Sequence, residues 1–294
     1  MRCLFCEGDA SRSRGIEHVI PQSLGNTTLT LRPGVVCDGC NNYFAREVER
    51  PFLEAGPIVS LRFRQAVPSR RGRVPAATGV LTPDIDVNVE RVNDAPYGAV
   101  VRSSDPALVP KMLASRRPCV LFDADGDLTS KVVSRFLAKV AVEAMAAKLL
   151  TEPALLASFI EDDALDPLRG HARRGIGTWP FNIRRIYRED ACWIDQEGSY
   201  RQVKWELDFH RTRRGELYLI LAVFGLELVL NVGGPAVDGY REWLWANGFA
   251  SPLYRGKAQP ATLVPVDGPR GVASLRVLFT NSRIGPPRRS VGER

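Results

Sequence analysis

The chain has 294 residues, of which 45% are hydrophobic and 25% charged, the usual balance of a soluble protein. No apolar run reaches the length of a membrane-spanning helix; Glu216–Val232 comes nearest, but it holds two glutamates and reads as strand. The net charge of +7, carried by Arg more than Lys, favours polyanionic partners through phosphate contacts.

The opening Met1-Arg2-Cys3 has no apolar signal-peptide core, so a cytoplasmic location is expected. Two Cys-x-x-Cys pairs follow, Cys3/Cys6 and Cys37/Cys40. Two such knuckles supply the four thiolates of a tetrahedral structural Zn²⁺ site. The 30 residues between the pairs exceed the roughly 15–20 of an ordinary zinc ribbon, so that loop holds further structure. A hairpin is expected there: Ile16 to Ile20, a turn through Ser23-Leu24-Gly25-Asn26, then Thr27 to Leu31 and Val35-Val36. Asn41 to about Arg50 reads as a helix stopped by Pro51, with free N–H groups near Asn41 that favour a phosphate.

Cys-x-x-Cys, then Glu17-His18-Val19-Ile20-Pro21, then Val36-Cys37-x-x-Cys40-Asn41-Asn42-x-Phe44 resembles the HNH endonuclease family in its zinc-bound form. The resemblance covers about residues 1–54 and implies a ββα-metal fold, a hairpin and a helix clamping one divalent ion. By position it implies that Glu17 is a metal ligand and His18 the general base. Asn41 falls on the helix-borne second ligand, with Asn42 as the neighbouring candidate. Many members carry a middle Asn that orients the base; Asn26, close behind His18, is the only Asn in this loop and takes that role by resemblance. Ala45 stands where some members carry another ligand, so the pattern suits Mg²⁺ or Mn²⁺ better than a histidine-rich transition-metal site. The chemistry is consistent: an imidazole titrating near pH 6.5 can take a proton from water, and a hard ion can stabilise charge on a phosphate. On a strand, Glu17 and His18 point to opposite faces, so both reach one ion only at a twisted strand end.

Beyond the module, Leu61-Arg62-Phe63-Arg64-Gln65 alternates as a strand, and Arg70-Arg71-Gly72-Arg73 reads as a basic loop for a nucleic-acid backbone or solvent. Short strands are expected at Val87–Val92, Ala99–Val101 and Val120–Phe122. Asp123-Ala124-Asp125-Gly126-Asp127 reads as a turn, lacking the later ligands of a calcium loop. A helix capped by Thr129 or Ser130 and apolar over most of its circumference runs to Leu149 as the buried centre of a second domain. Its Lys139 and Glu143 read as a solvated i,i+4 pair. A shorter helix ends at Ile160, and 166–180 reads as loop. His171 and His210 show no ligand spacing. Strands are expected at Asn182–Tyr187, Gln202–His210, Glu216–Ala222 and Leu226–Val232, then a helix Tyr240–Asn247, a strand Ala273–Phe279 and a disordered tail over 285–294. Cys119 and Cys192 read as buried thiols.

The expected fold class is α+β. A small zinc-stapled ββα-metal module (1–56) precedes a larger α+β domain (57–294) with a mostly antiparallel sheet and a buried central helix. The functional expectation is a metal-dependent endonuclease acting on DNA. It uses a structural Zn²⁺ on Cys3, Cys6, Cys37 and Cys40 and a catalytic Mg²⁺ or Mn²⁺. The alternative is a zinc-stapled nucleic-acid-binding or ligand-gated regulatory protein without catalysis. Two further partners stay open: a second copy of the chain, and an activating ligand or protein at the second domain.

Overall fold

The structure is a computed structural model that describes residues 1–81, 84–91, 99–114, 119–122, 128, 131–194, 199–254 and 260. The first knuckle is tied by Cys3 N–H donating to the Gly8 carbonyl at 2.7 Å, and joined to the second by Leu4 N–H donating to the Val35 carbonyl at 2.9 Å. Between the knuckles, β1 (Glu17–His18) pairs antiparallel with β2 (Thr30–Leu31), Glu17 opposite Leu31 and His18 opposite Thr30. The connection makes one 3₁₀ turn, Gln22–Leu24, closed by Gly25 at φ +88°.

Cys37 caps α1 (Asp38–Phe44), and the helix runs on through a π-helical stretch, Ala45–Glu49, into α2 (Arg50–Leu53). Pro51 therefore does not stop the helix. It follows the π-helical stretch directly inside a continuous helix, where it has no N–H to donate to the turn before it. The helix also starts earlier than expected. Asn41 sits one turn in, with its N–H already donated to the Cys37 carbonyl.

Leu61–Gln65 is not a strand. It lies in and just beyond α3 (Gly56–Arg64), which starts on Pro57 and buries Ile58, Leu61, Arg62 and Phe63. The alternating arginines mislead because both are covered, Arg64 by two hydrogen bonds of 2.6 Å to the Glu189 carboxylate. The basic loop follows, closed by Ser69 N–H on the Arg73 carbonyl, with Arg70, Arg71 and Arg73 exposed.

Four strands then form an antiparallel sheet in the order β5-β4-β3-β6: β3 (Ala77–Leu81), β4 (Ile85–Arg91), β5 (Ala99–Arg102) and β6 (Val120–Phe122). Its inward residues, with Phe63, make a separate small core near α4 (Leu108–Ala114). Asp123–Asp127 and the capping pair Thr129/Ser130 lie outside the described residues, as do Ala273–Phe279 and the tail.

The central helix α5 (Lys131–Lys148) is buried as expected, and α6 (Pro153–Ile160) follows. Residues 166–174, expected as loop, are helix α7 (Asp166–Arg174), begun by Pro167 and ended by Gly175 at φ +66°. A second antiparallel sheet has the order β10-β11-β12-β7: β7 (Phe181–Arg185), β10 (Trp205–Arg211), β11 (Leu217–Val223) and β12 (Leu226–Asn231). A small hairpin, β8 (Cys192–Ile194) with β9 (Tyr200–Gln202), precedes β10.

The continuous apolar run of β11, and that of β12 around its buried Glu227, follow from burial on both faces. Leu219, Leu221, Leu228 and Leu230 face the core of α5, while Tyr218, Ile220 and Val229 pack with Tyr240 and Leu244 of α8 (Asp238–Ala246). No helix among the described residues is long and apolar enough to cross a membrane.

The main core does not break at residue 56. One apolar cluster joins Leu4, Ile20, Leu31 and Phe52 of the N-terminal segment to Phe136, Leu137 and Val140 of α5 and the leucines of β11 and β12. Phe52 stacks on Phe136 with ring centroids 3.9 Å apart. Tyr43 donates to the Arg173 carbonyl and accepts from Arg135 at 2.9 Å, and buried Arg169 reaches the Glu7 carboxylate of the first knuckle at 3.3 Å.

Candidate functional site

The thiol sulfurs of Cys3, Cys6, Cys37 and Cys40 all lie within 4.8 Å of one another. Cys6 Sγ and Cys37 Sγ are 3.7 Å apart, close to the ~3.8 Å that a tetrahedral ion with Zn–S bonds of about 2.3 Å imposes. Backbone N–H groups already point at the sulfurs, Cys37 N–H at Cys3 Sγ (3.3 Å) and Cys40 N–H at Cys37 Sγ (3.4 Å), as they must to support thiolates. The Cys40 thiol pulls the Cys3 pKa down to about 4, while the same hydrogen bond pushes Cys40 up. The donor set fits one zinc ion. Cys192 is buried and Cys119 half-buried.

The staple fixes where β1 meets α1, and the two motif residues separate there as strand geometry requires. Glu17 points inward and is 5% exposed, while His18 is half-buried toward the surface. Asn41, on α1, donates from Nδ2 to the Ile16 carbonyl at 3.4 Å, so it lies against the start of β1. Its Oδ1 has no hydrogen-bond partner among the described residues. Asn42, the next residue, is exposed.

Asn26 has a different task from the one expected. Its Nδ2 donates to the carbonyls of Ile20 (2.7 Å) and Leu29 (2.9 Å), and its Oδ1 accepts from the N–H groups of Thr28 and Leu29. The buried amide is thus used up in closing the hairpin loop, and none of its hydrogen bonds reaches His18.

The principal difference from the expected site comes from α5. Lys139 and Glu143 are not a solvated pair; both are fully buried. Lys139 Nζ lies 2.7 Å from Glu17 Oε1, 2.6 Å from Glu49 Oε1 and 2.8 Å from Glu143 Oε2, and donates to the His18 carbonyl at 3.1 Å. Glu49 arrives from the end of the π-helical stretch. The signal for this cluster is present in the sequence: a helix apolar over most of its circumference is largely buried, and charges flanked by its apolar residues are buried with them.

Burial dominates the electrostatics. It raises the Glu17 pKa against the pull of Lys139, and raises Glu143 well above the ordinary carboxylate value. Burial opposes the Lys139 charge too, but Glu143, Glu17 and Glu49 together outweigh it and hold the ammonium firmly protonated. His18 is lowered from 6.5, first by burial and then by the positive charges of Lys139 and Arg70 against the opposing pull of Glu49. Buried polar atoms in the cluster are left without a hydrogen bond: Glu17 Oε2, His18 Nδ1 and Glu143 Oε1. A carboxylate oxygen left so could take a cation.

His171 and His210 lie elsewhere. His171 is buried between Ser134 Oγ (2.9 Å) and the Ile176 carbonyl (3.0 Å), and His210 packs on the Trp243 ring.

Comparison with curated proteins and with solved structures gives no match to either. A comparison with protein families matches residues 3–55 to the HNH endonuclease family. The matched segment holds both cysteine knuckles, the Glu17-His18 strand and the helix through Leu53, so residues 3–55 of this α+β protein form an HNH-family module.

Proposed function

We propose that the protein is a metal-dependent endonuclease that hydrolyses DNA phosphodiester bonds. The observation that carries this reading is the pairing, on one zinc-stapled strand, of an outward imidazole with an inward carboxylate whose second oxygen is buried and unpartnered. Glu17 and Asn41 would hold Mg²⁺ or Mn²⁺, with Asn42 beside them. When bound, the ion would neutralise charge growing on the phosphate and on the leaving oxygen.

The chain's own residues do the rest. His18, kept neutral by burial and nearby positive charge, accepts a proton from water as the water oxygen bonds to phosphorus. The bond from phosphorus to the leaving sugar oxygen breaks, and that oxygen takes a proton from solvent. Arg70, whose charge acts on the imidazole, and its exposed neighbours Arg71 and Arg73 attract the phosphate backbone. The four thiolates hold zinc as a structural staple that keeps β1 against α1. The residues after the module bind the target or control the cut.

The test is plasmid cleavage by wild-type protein and by His18→Ala, each with Mg²⁺, Mn²⁺ or EDTA. The expected result is nicking or linearisation that EDTA abolishes and that falls about 10²–10⁴-fold in the variant, with zinc content unchanged. Equal cleavage by His18→Ala would remove the imidazole from the mechanism. A zinc-loaded wild type with no cleavage would favour a binding or ligand-gated protein.

A further inference from the structure

The carboxylate assigned above to the divalent ion has two oxygens in two different situations. Glu17 Oε1 is held by Lys139 Nζ at 2.7 Å, whereas Oε2 is buried with no partner. The same ammonium also takes the carbonyl of His18 at 3.1 Å, so one group grips both successive residues of the motif, one by its side chain and one by its backbone. Lys139 is fully buried, and the two further carboxylates around it, Glu49 and Glu143, come from different elements.

An ammonium alone in this interior would be strongly unfavourable, and so would these carboxylates without it. Three carboxyl groups thus stand against one ammonium at the buried end of the site, which leaves Glu17 Oε2 available to a divalent cation. A carboxylate bound at one oxygen is held in a single orientation. Such an outer partner, fixing a ligand without touching the ion, is the usual way a protein sets metal affinity.

We infer that Lys139 is a positioning residue of the nuclease centre. From outside the HNH module, its ammonium clamps Glu17 through Oε1 and the strand through the His18 carbonyl, so that Oε2 is presented to the divalent ion. Glu49 and Glu143 balance its charge and hold it in place. The inference rests on the reading of Glu17 as a metal ligand. The same contacts allow an opposite role, in which the ammonium is a tethered occupant that competes with the ion for Glu17. The two roles change metal affinity in opposite directions.

The experiment measures Mn²⁺ binding to the zinc-loaded full chain by electron paramagnetic resonance, without substrate. Zinc content and thermal unfolding are followed alongside. Lys139→Met alone would strand three carboxylates in the interior, so the informative variant is the double Lys139→Met/Glu143→Met, which removes an opposite pair together. Lys139→Gln/Glu143→Gln serves if the first does not keep its zinc. The expected result is a Mn²⁺ Kd weakened about 10–100-fold with zinc content and melting temperature retained. Unchanged Mn²⁺ affinity would make the cluster a structural one, and tighter binding would make Lys139 a competitor; either overturns the inference. Weaker binding accompanied by lost zinc or a lowered melting temperature is a folding effect and counts against it. Glu17→Gln is the control for the underlying reading. If it leaves Mn²⁺ binding unchanged, Glu17 is not a ligand and the inference falls with that assignment, whatever the double variants do.

Discussion

Phe52 and His171 show how single buried residues contribute to stability. Phe52 lies face to face on Phe136 with both rings fully buried, so Phe52→Ala opens a cavity between the module and α5. The expected cost is about 3–5 kcal/mol, read from chemical denaturation. His171 is buried as a neutral ring, with Nδ1 donating to the Ile176 carbonyl and Nε2 accepting from Ser134, and burial lowers its pKa below 6.5. The unfolded chain therefore takes up this proton at higher pH than the folded one. Its contribution to stability is fully present above about pH 6.5 and is lost as pH falls below that value. Unfolding titrations between pH 7 and 5 should show stability falling, with a shallower fall in His171→Gln; identical slopes would exclude His171 as a source. At this scale the sequence was legible where a residue type has few uses, as with the four cysteines. It was less so for Lys139 and Glu143, whose i,i+4 spacing suits a surface pair as well as a buried one. The apolar residues on every side of them were the better guide.

At the scale of elements, two short pieces of chain depend on features with no slack. The zinc knuckles enclose the strand pair β1–β2, only two residues to a strand, and such a hairpin has little stability of its own. Cys37→Ser should lose the zinc and the ordered hairpin together, seen as absent metal by elemental analysis and as fast amide exchange at Val19 and Leu29. Retention of stoichiometric zinc would contradict the four-thiolate site. The β11–β12 turn is equally constrained. Gly225 has φ +77°, and a Cβ there would lie 2.2 Å from the Tyr187 carbonyl oxygen. Gly225→Ala should destabilise by about 2–3 kcal/mol, from the left-handed backbone and the overlap together.

The elements read wrongly from sequence share a cause. In α3 an alternating Leu-Arg-Phe-Arg pattern imitates a strand because a distant glutamate, Glu189, covers Arg64. In α7 five polar or charged residues hid a helix whose Arg169 and His171 are buried. Both helices start on a proline, the local signal that was available.

For the whole molecule, the decisive fact is the shared core. Apolar residues from the HNH module, α5 and the second sheet form one cluster. A polypeptide of residues 1–56 should therefore bind zinc without reaching its native fold, giving poorly dispersed amide resonances. A well-dispersed spectrum would show that the module is self-sufficient. Sequence patterns could place the module and the central helix, but not their fusion, because contacts such as Lys139 with Glu17 join residues over 120 positions apart.

The Tyr43 clasp on Arg135 and Arg173, and the hold of Arg169 on Glu7, carry that fusion onto α7. For anyone recombining this protein with another, they relocate the seam. A splice after residue 56 severs every one of these ties and leaves the donor strand facing a foreign helix. A splice after Arg174 keeps these ties together with the cysteine knuckles, the Glu17-His18 strand and the helices that grip them, but it still parts α5 from the β11–β12 face of the shared core.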